Sequence, residues 1–136
     1  MIPSPTSTNG TRKQIDALMQ TFDTWDVIKV PFPYTDRPVR ERRPALIVAS
    51  GSIQERHGLL WVMMITSSEN RGWPGDVVVS DLQVSGLPVA SIVRTAKITT
   101  TEAKESDRIG ILPRDDREAI STHLQTVLAG ALKTRR

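Results

Sequence analysis

Between residues 26 and 112 the apolar residues come in short stretches that polar or turn-forming residues separate. Alternation of apolar and polar positions, or a short apolar run rich in β-branched residues, is typical of a strand. The prolines and glycines between these stretches favour loops, including residues 32–43 and a polar turn over residues 50–58. The pattern predicts five strands and a brief sixth: Asp26–Pro31, Ala45–Ala49, Leu59–Thr66, Asp76–Ser80, Ala90–Lys97 and Arg108–Leu112.

Helical spacing appears only near the two ends of the chain. After Pro113 one apolar stripe recurs at steps of about three and four, and carboxylates fill the first turn, which predicts a helix over Asp115–Leu132. Its stripe consists of Ile120, Leu124, Val127, Leu128 and Ala131. A shorter amphipathic pattern predicts a second helix over residues 12–22.

Strands that loops connect, without long helices between them, argue against a parallel sheet built from strand–helix–strand units. We therefore expect a mainly β fold, a small and strongly bent antiparallel sheet or half-open barrel that the C-terminal helix covers. Residues 1–11 are rich in Pro, Ser, Thr, Asn and Gly, which is typical of a flexible tail. The predicted organisation is a tail and short helix over residues 1–22, followed by one domain over residues 23–136.

Composition excludes most catalytic machinery. The 136 residues include no Cys and only two His, at His57 on a loop and His123 on a helix surface, so neither a thiolate nor a histidine metal site is expected. We expect no metal and no cofactor. The longest apolar run has seven residues, far short of a membrane span, and together with the missing Cys this indicates the cytoplasm. The net charge of +3 permits an anionic partner without requiring one.

The densest positive charge lies in the proline-rich loop, where Arg37, Arg40, Arg42 and Arg43 fall within seven residues. Guanidinium groups bind phosphate through paired hydrogen bonds, so the cluster suits a polyanion. The alternative is a solvated turn that keeps a sheet edge soluble.

Arg43 differs from its neighbours because it directly precedes Pro44 and is therefore restricted to an extended conformation at the start of a buried strand. The next strand ends in the hydroxyl residues Thr66 and Ser67. If these two strands form a hairpin, the start of one lies beside the end of the other, and Arg43 and Thr66 become neighbours. A guanidinium beside a hydroxyl donor is suited to bind a phosphoryl group.

Arg94 stands within an apolar strand, where a charge lies either at an edge with its head in water or paired in a site. Trp73, in a Gly-Trp-Pro-Gly turn, is suited either to stack on a base or to plug the mouth of a barrel, and we favour the plug. Trp61 and Met63 are core residues by pattern.

These segments resemble a known family. Residues 26–36 (DVIKVPFPYTD), followed by residues 42–48 (RRPALIV), resemble the opening of the MazF/PemK-like toxins of bacterial type II toxin–antitoxin systems. Further matches follow in the same order as in that family, and the resemblance extends from residue 25 to about residue 130. They are Ile65-Thr66-Ser67, Gly86-Leu87-Pro88 before Ser91-Ile92-Val93-Arg94, Lys97-Ile98 and Arg108–Leu112.

The resemblance implies an SH3-like barrel that dimerises and cuts single-stranded RNA without metal, leaving a 2′,3′-cyclic phosphate and a 5′-hydroxyl. The family's catalytic Arg and Thr fall on Arg43 and Thr66, and the Arg of its Val-Arg-x-Asp element falls on Arg94. The residues expected to bind RNA are Arg37, Arg40, Arg42, Ser67 and Trp73. The implied partners are single-stranded mRNA, a second copy, and an antitoxin with which the toxin binds DNA.

Two residues depart from the family pattern. The Asp of the Val-Arg-x-Asp element is Ala96 here, which leaves Glu41 as the nearest candidate by sequence for a general base. The Gly that usually precedes the first strand is Trp25. Two alternative functions stay open, a growth inhibitor that binds a protein such as gyrase and a non-catalytic barrel that binds RNA or DNA.

Overall fold

A computed structural model describes residues 21–31, 41–70 and 72–133. These residues form six strands in one antiparallel sheet, with the strand order β4-β5-β3-β2-β1-β6, curled into a half-barrel. The expected mainly β fold is thereby confirmed. The strands are β1 (Asp26–Pro31), β2 (Arg42–Ala49), β3 (Leu59–Ser67), β4 (Val77–Val78), β5 (Ser91–Glu102) and β6 (Asp107–Ile111).

Three α-helices lie within the described residues: α1 (Gly51–His57), α2 (Leu82–Ser85) and α3 (Arg114–Leu132). The prediction for α3 is confirmed to within one residue of its start. Residues 50–58 form α1 instead of the expected polar turn, because Gly58 adopts a left-handed conformation (φ 67°) and its N–H bonds back to close the helix. His57 therefore ends a helix and does not lie in a loop.

Two short 3₁₀ turns, Ser68–Asn70 and Ala103–Glu105, complete the connections. Most of the helix predicted over residues 12–22, and most of the basic loop, lie outside the described residues. Within the described residues, no helix is long and apolar enough to cross a membrane.

Apolar side chains pack on both faces of the sheet, since successive residues of a strand point to opposite sides. Val27 of β1 belongs to the cluster that α3 covers through Ile120, whereas Ile28 belongs to a second cluster with Phe22. The predicted stripe on α3 is used only in part. Ile120 is fully buried and Leu124 packs partly against the same cluster, but Val127 is 68% exposed.

Two strands are longer than their patterns predict. β2 begins at Arg42 and includes Pro44, which is tolerated because β2 pairs with β1 at this position but reaches β3 only from Ala45 onward. β5 continues through the β-branched residues 99–101 to Glu102, where it pairs with the start of β3. Residues 99–102 therefore extend the strand beyond its predicted end at Lys97.

The prediction that Met63 is a core residue is confirmed, but the prediction for Trp61 is wrong. Trp61 is exposed, and its cross-strand neighbours are Ala49 and Thr100, which offer a large ring little apolar cover.

Candidate active site

Arg43 and Thr66 meet where the hydrogen-bonded part of the β2–β3 hairpin ends. The pairing runs to Ala45 opposite Met64, and continuing it by two residues places Arg43 opposite Thr66. Both residues line the same two neighbouring depressions, of about 280 and about 160 Å³. The hairpin thus brings together the guanidinium and the hydroxyl, as the sequence pattern predicts.

The two depressions share Arg43, Ile65 and Thr66 in their linings, and together they form what we call the central groove. The larger one is bordered by the apolar side chains of Leu87 and Ile109 and by the charged Lys29. The smaller one is bordered by Arg94 and Lys97 of β5. A groove lined by both apolar and cationic side chains suits a nucleotide chain, which presents flat bases and anionic phosphates.

Glu41 also reaches the central groove, where its Oε2 lies 3.2 Å from Nη2 of Arg43. The Arg43 side chain is 42% exposed, and that of Glu41 is exposed as well. An ion pair in such contact with water contributes only about 0–1 kcal/mol. A phosphate that enters the groove is therefore able to replace Glu41 at the Arg43 guanidinium at little cost.

Arg94 is paired and buried, which settles the choice left open by its position in an apolar strand. Its Nε lies 3.3 Å from Oδ1 of Asp76, and its Nη2 lies 3.1 Å from Oδ2. The two side chains are only 11% and 9% exposed. Cζ of the Arg94 guanidinium also lies over the Trp73 ring, 4.3 Å from the ring centroid, and Trp73 is itself 47% exposed. Trp73 therefore lies on the surface against Arg94 and does not plug the barrel.

The Asp76 carboxylate is held in its ionised form. Burial alone would raise its pKa, but hydrogen bonds from Arg94 and from the backbone N–H groups of Trp73 and Gly72 outweigh burial, so the pKa lies below its usual range. A carboxylate with a lowered pKa that is already committed to a guanidinium is a poor general base. It supplies the acidic partner for Arg94 that Ala96, two residues further along β5, does not provide.

Asn70 is a further component of this site. Its side-chain Nδ2 donates a hydrogen bond of 3.0 Å to Oγ1 of Thr66, and its backbone carbonyl accepts one of 2.6 Å from Nη2 of Arg94. The sequence pattern singles out neither Asn70 nor Asp76. The only available signal is the dense set of turn formers from Glu69 to Gly75, which predicts that the chain folds back near Thr66.

The remaining residues expected to bind RNA have different environments. Arg42 also borders the larger depression of the central groove, and its guanidinium is held by Asp107, 2.6 Å away, and by the backbone carbonyls of Lys29 and Glu105. Ser67 borders the central groove, and its hydroxyl accepts a hydrogen bond from the Glu69 N–H. Arg37 and Arg40 lie outside the described residues.

Neither His lies in the central groove. His57 ends α1, at the opposite end of the β2–β3 hairpin, and His123 lies on α3 near Gly75. In the part of the chain that the structure describes, no group of three or more His, Cys, Asp and Glu side chains is arranged to hold a metal ion.

Comparisons with known proteins agree with this architecture. The MazE–MazF complex (Form-III) from Deinococcus radiodurans matches with a TM-score of 0.65 at 19% identity, over 81% of this chain and 98% of that chain. An endoribonuclease in complex with its cognate antitoxin, from Mycobacterial species, matches with a TM-score of 0.62 at 20% identity, over 82% and 96%. The Mycobacterium tuberculosis toxin MazF-mt6 matches with a TM-score of 0.59 at 20% identity, over 76% and 96%. These likenesses show a shared fold.

The sequence itself gives the family. A comparison with curated proteins found no match. The sequence model of the PemK-like, MazF-like toxins of type II toxin–antitoxin systems, however, matches residues 23–128, which is most of the chain and includes every residue of the central groove. The chain therefore belongs to the family of PemK-like, MazF-like toxins of type II toxin–antitoxin systems.

Proposed function

We propose that this toxin is a metal-independent, sequence-selective endoribonuclease that cleaves single-stranded RNA to a 2′,3′-cyclic phosphate and a 5′-hydroxyl. MazF-like toxins are generally endoribonucleases. The observation that carries the proposal for this chain is the placement of Arg43 opposite Thr66 in an open groove that also holds Lys29, Arg94 and Lys97.

The RNA supplies its own nucleophile in this reaction. The ribose 2′-oxygen attacks the adjacent phosphorus and gives up its proton, the bond between phosphorus and the 5′-oxygen breaks, and the leaving 5′-oxygen takes up a proton. Negative charge builds on the phosphorane oxygens as the new bond forms. Arg43 neutralises this charge through its forked N–H groups, and the Thr66 hydroxyl donates a further hydrogen bond. A preorganised donor of this kind typically contributes about 3–4 kcal/mol.

We assign the general base to Glu41. A phosphate that binds Arg43 displaces the Glu41 carboxylate from its ion pair and leaves it beside the reacting ribose. Arg94 is unsuited to proton transfer, because its guanidinium has a pKa above about 12 and is engaged by Asp76. Arg94 instead shapes the groove beside Thr66.

The decisive experiment incubates the purified protein with total RNA in EDTA and sequences the new 5′ ends. We expect cuts at a short recurring motif, 5′-hydroxyl products, and no cutting where a 2′-deoxynucleotide replaces the ribose before the scissile phosphate. Arg43→Ala and Thr66→Ala should each lower the cleavage rate about 10²- to 10³-fold. Arg56→Ala is the matched control, because Arg56 lies on exposed α1 at the far end of the same hairpin.

Two outcomes would contradict the proposal. RNA that is bound but left intact would establish a non-catalytic nucleic-acid-binding barrel. Growth arrest with intact RNA and lost topoisomerase activity would establish an inhibitor that acts by binding a protein such as gyrase.

We further propose that the toxin is cytoplasmic, forms a homodimer, and is neutralised by a cognate antitoxin, with which it binds DNA. The solved MazE–MazF complex and the endoribonuclease–antitoxin complex that share this fold support an antitoxin partner. The exposed cations of the central groove suit an acidic segment of such a partner. Co-expression of the cognate antitoxin should restore the growth of cells that express the toxin, and light scattering on the purified toxin should give twice the mass of 15.1 kDa.

A further inference from the structure

We propose that Asn70 is a positioning residue that fixes the Thr66 hydroxyl with its proton directed at the scissile phosphate. This inference rests on the proposed endoribonuclease function, because it assigns Asn70 a role in the orientation of a catalytic donor. It goes beyond the Arg43–Thr66 pair, since Asn70 reaches the reacting phosphate only through Thr66.

The polarity of the hydrogen bond between Asn70 and Thr66 carries the argument. The Asn70 Nδ2 donates to Oγ1 of Thr66 at 3.0 Å. An amide NH₂ group has no acceptor capacity, so it cannot take up the hydroxyl proton of Thr66. A hydroxyl rotates freely and has one proton and two acceptor sites. With one acceptor site occupied by Asn70, the Thr66 proton is left for an acceptor in the groove, which in the complex is a phosphate oxygen.

A second set of contacts holds Asn70 in place although its side chain is exposed. Its backbone carbonyl accepts a hydrogen bond from Arg94 at 2.6 Å. Arg94 in turn is fixed by two hydrogen bonds to Asp76 and by the Trp73 ring. The contacts run in the order Asp76, Arg94, Asn70 and Thr66. The Arg94–Asp76 ion pair thereby restrains the turn Ser68–Asn70, and Asn70 in that turn restrains the Thr66 hydroxyl.

This arrangement gives Arg94 a use that needs no contact with RNA. A guanidinium whose charge is offset by a carboxylate attracts phosphate weakly, yet it is a rigid anchor for the turn Ser68–Asn70. The carboxylate that binds it comes from residue 76, before β4, and not from residue 96 on β5, so the anchor tethers the loop between β3 and β4 to the sheet.

Asn70→Ala removes the side-chain donor and leaves the carbonyl that Arg94 binds. A neutral hydrogen bond contributes about 0.5–1.5 kcal/mol, so we expect kcat to fall about 3- to 10-fold while KM changes little. Glu69→Ala is the matched control, because Glu69 is an exposed residue of the same turn, and the substitution keeps the backbone N–H that donates to Ser67. The control should retain wild-type kcat.

Asn70→Asp tests the polarity and not merely the presence of the bond. An ionised carboxylate only accepts hydrogen bonds, so it would draw the Thr66 proton away from the phosphate, and we expect a larger loss of kcat than in Asn70→Ala at neutral pH. Protonation would restore a donor. The activity relative to wild type at the same pH should therefore recover as the pH falls toward about 4. Arg94, which binds the Asn70 carbonyl, and the groove cations Arg43 and Lys97 beside Thr66 would shift the recovery to lower pH. Glu41 in the groove and Glu69 in the same turn would oppose that shift.

The last arm is a double-variant cycle. If Asn70 acts through Thr66, Asn70→Ala should lower kcat in the wild-type background and have no further effect in Thr66→Ala. Equal losses in both backgrounds, or an Asn70→Asp protein without a pH-dependent recovery, would overturn the inference. If the wild-type protein cuts RNA and Asn70→Ala cuts equally well, only this inference fails. If the wild-type protein cuts no RNA, the proposed function fails.

Discussion

Arg43 and Arg94 carry the same charge in two different electrostatic settings. Arg43 faces solvent beside a carboxylate that is itself solvated, so its charge is available to a ligand. Arg94 and Asp76 are about nine-tenths buried, and each neutralises the other. The residue suited to stabilise a transition state is therefore Arg43, and the residue suited to hold structure is Arg94.

Arg43→Lys separates the charge of Arg43 from its geometry. Lys keeps a cation but replaces the planar fork with a single ammonium group, so the paired hydrogen bonds to a phosphorane are lost. We expect kcat/KM to lie between that of wild type and that of Arg43→Ala, at least about tenfold below wild type. Single-turnover cleavage of a short RNA measures the rate. Wild-type activity in Arg43→Lys would show that charge alone suffices.

Asp76 makes part of the folding stability dependent on pH. Because its folded-state pKa is lowered, its contribution is fully present above the unfolded-state pKa and is lost as the pH falls through the folded-state value. At pH 7 we expect Asp76→Asn to lower the free energy of unfolding by about 2 kcal/mol, since hydrogen bonds to charged groups are lost. The gap between variant and wild type should narrow below about pH 4.

Urea titrations across this pH range measure that gap. Asp107→Asn is the control, because Asp107 pairs with Arg42 on the surface, where an ion pair contributes only about 0–1 kcal/mol. A gap that stays constant with pH would contradict the assignment of the lowered pKa to a stabilising pair.

At the scale of the elements, the strands follow from the apolar pattern and the short helices do not. Every predicted strand is present, since alternation and β-branched runs report local preferences directly. Helices α1 and α2 have seven and four residues, too few for a periodic signal, and both end at a glycine with a left-handed backbone. The apolar pattern does not predict the start of β2 at Arg42 either. Pro44 lacks the N–H that a strand normally uses, and only the pairing with β1 shows that the strand includes it.

Gly86 is a sensitive position because it combines a positive φ of 73° with close packing. A Cβ at this residue would clash with the backbone carbonyl of Ile109 in β6, and the left-handed backbone disfavours any other residue. We expect Gly86→Ala to lower the free energy of unfolding by about 2–4 kcal/mol. Denaturant titration measures the loss.

Gly130→Ala is the matched comparison for this substitution. Gly130 lies in α3, and a Cβ there would have open space around it. Because Ala is the better helix former, this variant should be more stable than wild type by about 0.5–1 kcal/mol. A Gly86→Ala protein as stable as wild type would show that α2 and β6 are not packed as described.

At the scale of the whole molecule, the site divides into a part that strand pairing determines and a part that depends on the path of a loop. The Arg43–Thr66 pair follows from one hairpin, so strand pairing alone predicts it. The Asp76–Arg94 pair and the bond from Arg94 to Asn70 join residues 18 and 24 positions apart, across a loop whose path the pattern does not give. The sequence pattern therefore does not predict that Asp76 and Asn70 belong to the site, and the folded structure is needed to show it.

Charge is also a property of the whole molecule, and its distribution predicts how RNA binding responds to salt. The net charge is only +3, so nonspecific attraction is weak and binding depends on the few cations of the central groove. For single-stranded nucleic acid, the logarithm of the binding constant falls with the logarithm of salt concentration by about 0.7 per phosphate contacted. Arg43→Ala should reduce this slope by about 0.7, whereas Asn70→Ala, which removes no charge, should leave it unchanged.

Fluorescence anisotropy with an RNA that carries one 2′-deoxynucleotide at the cut site measures binding without cleavage. An unchanged slope in Arg43→Ala would show that the Arg43 guanidinium does not contact the phosphate chain.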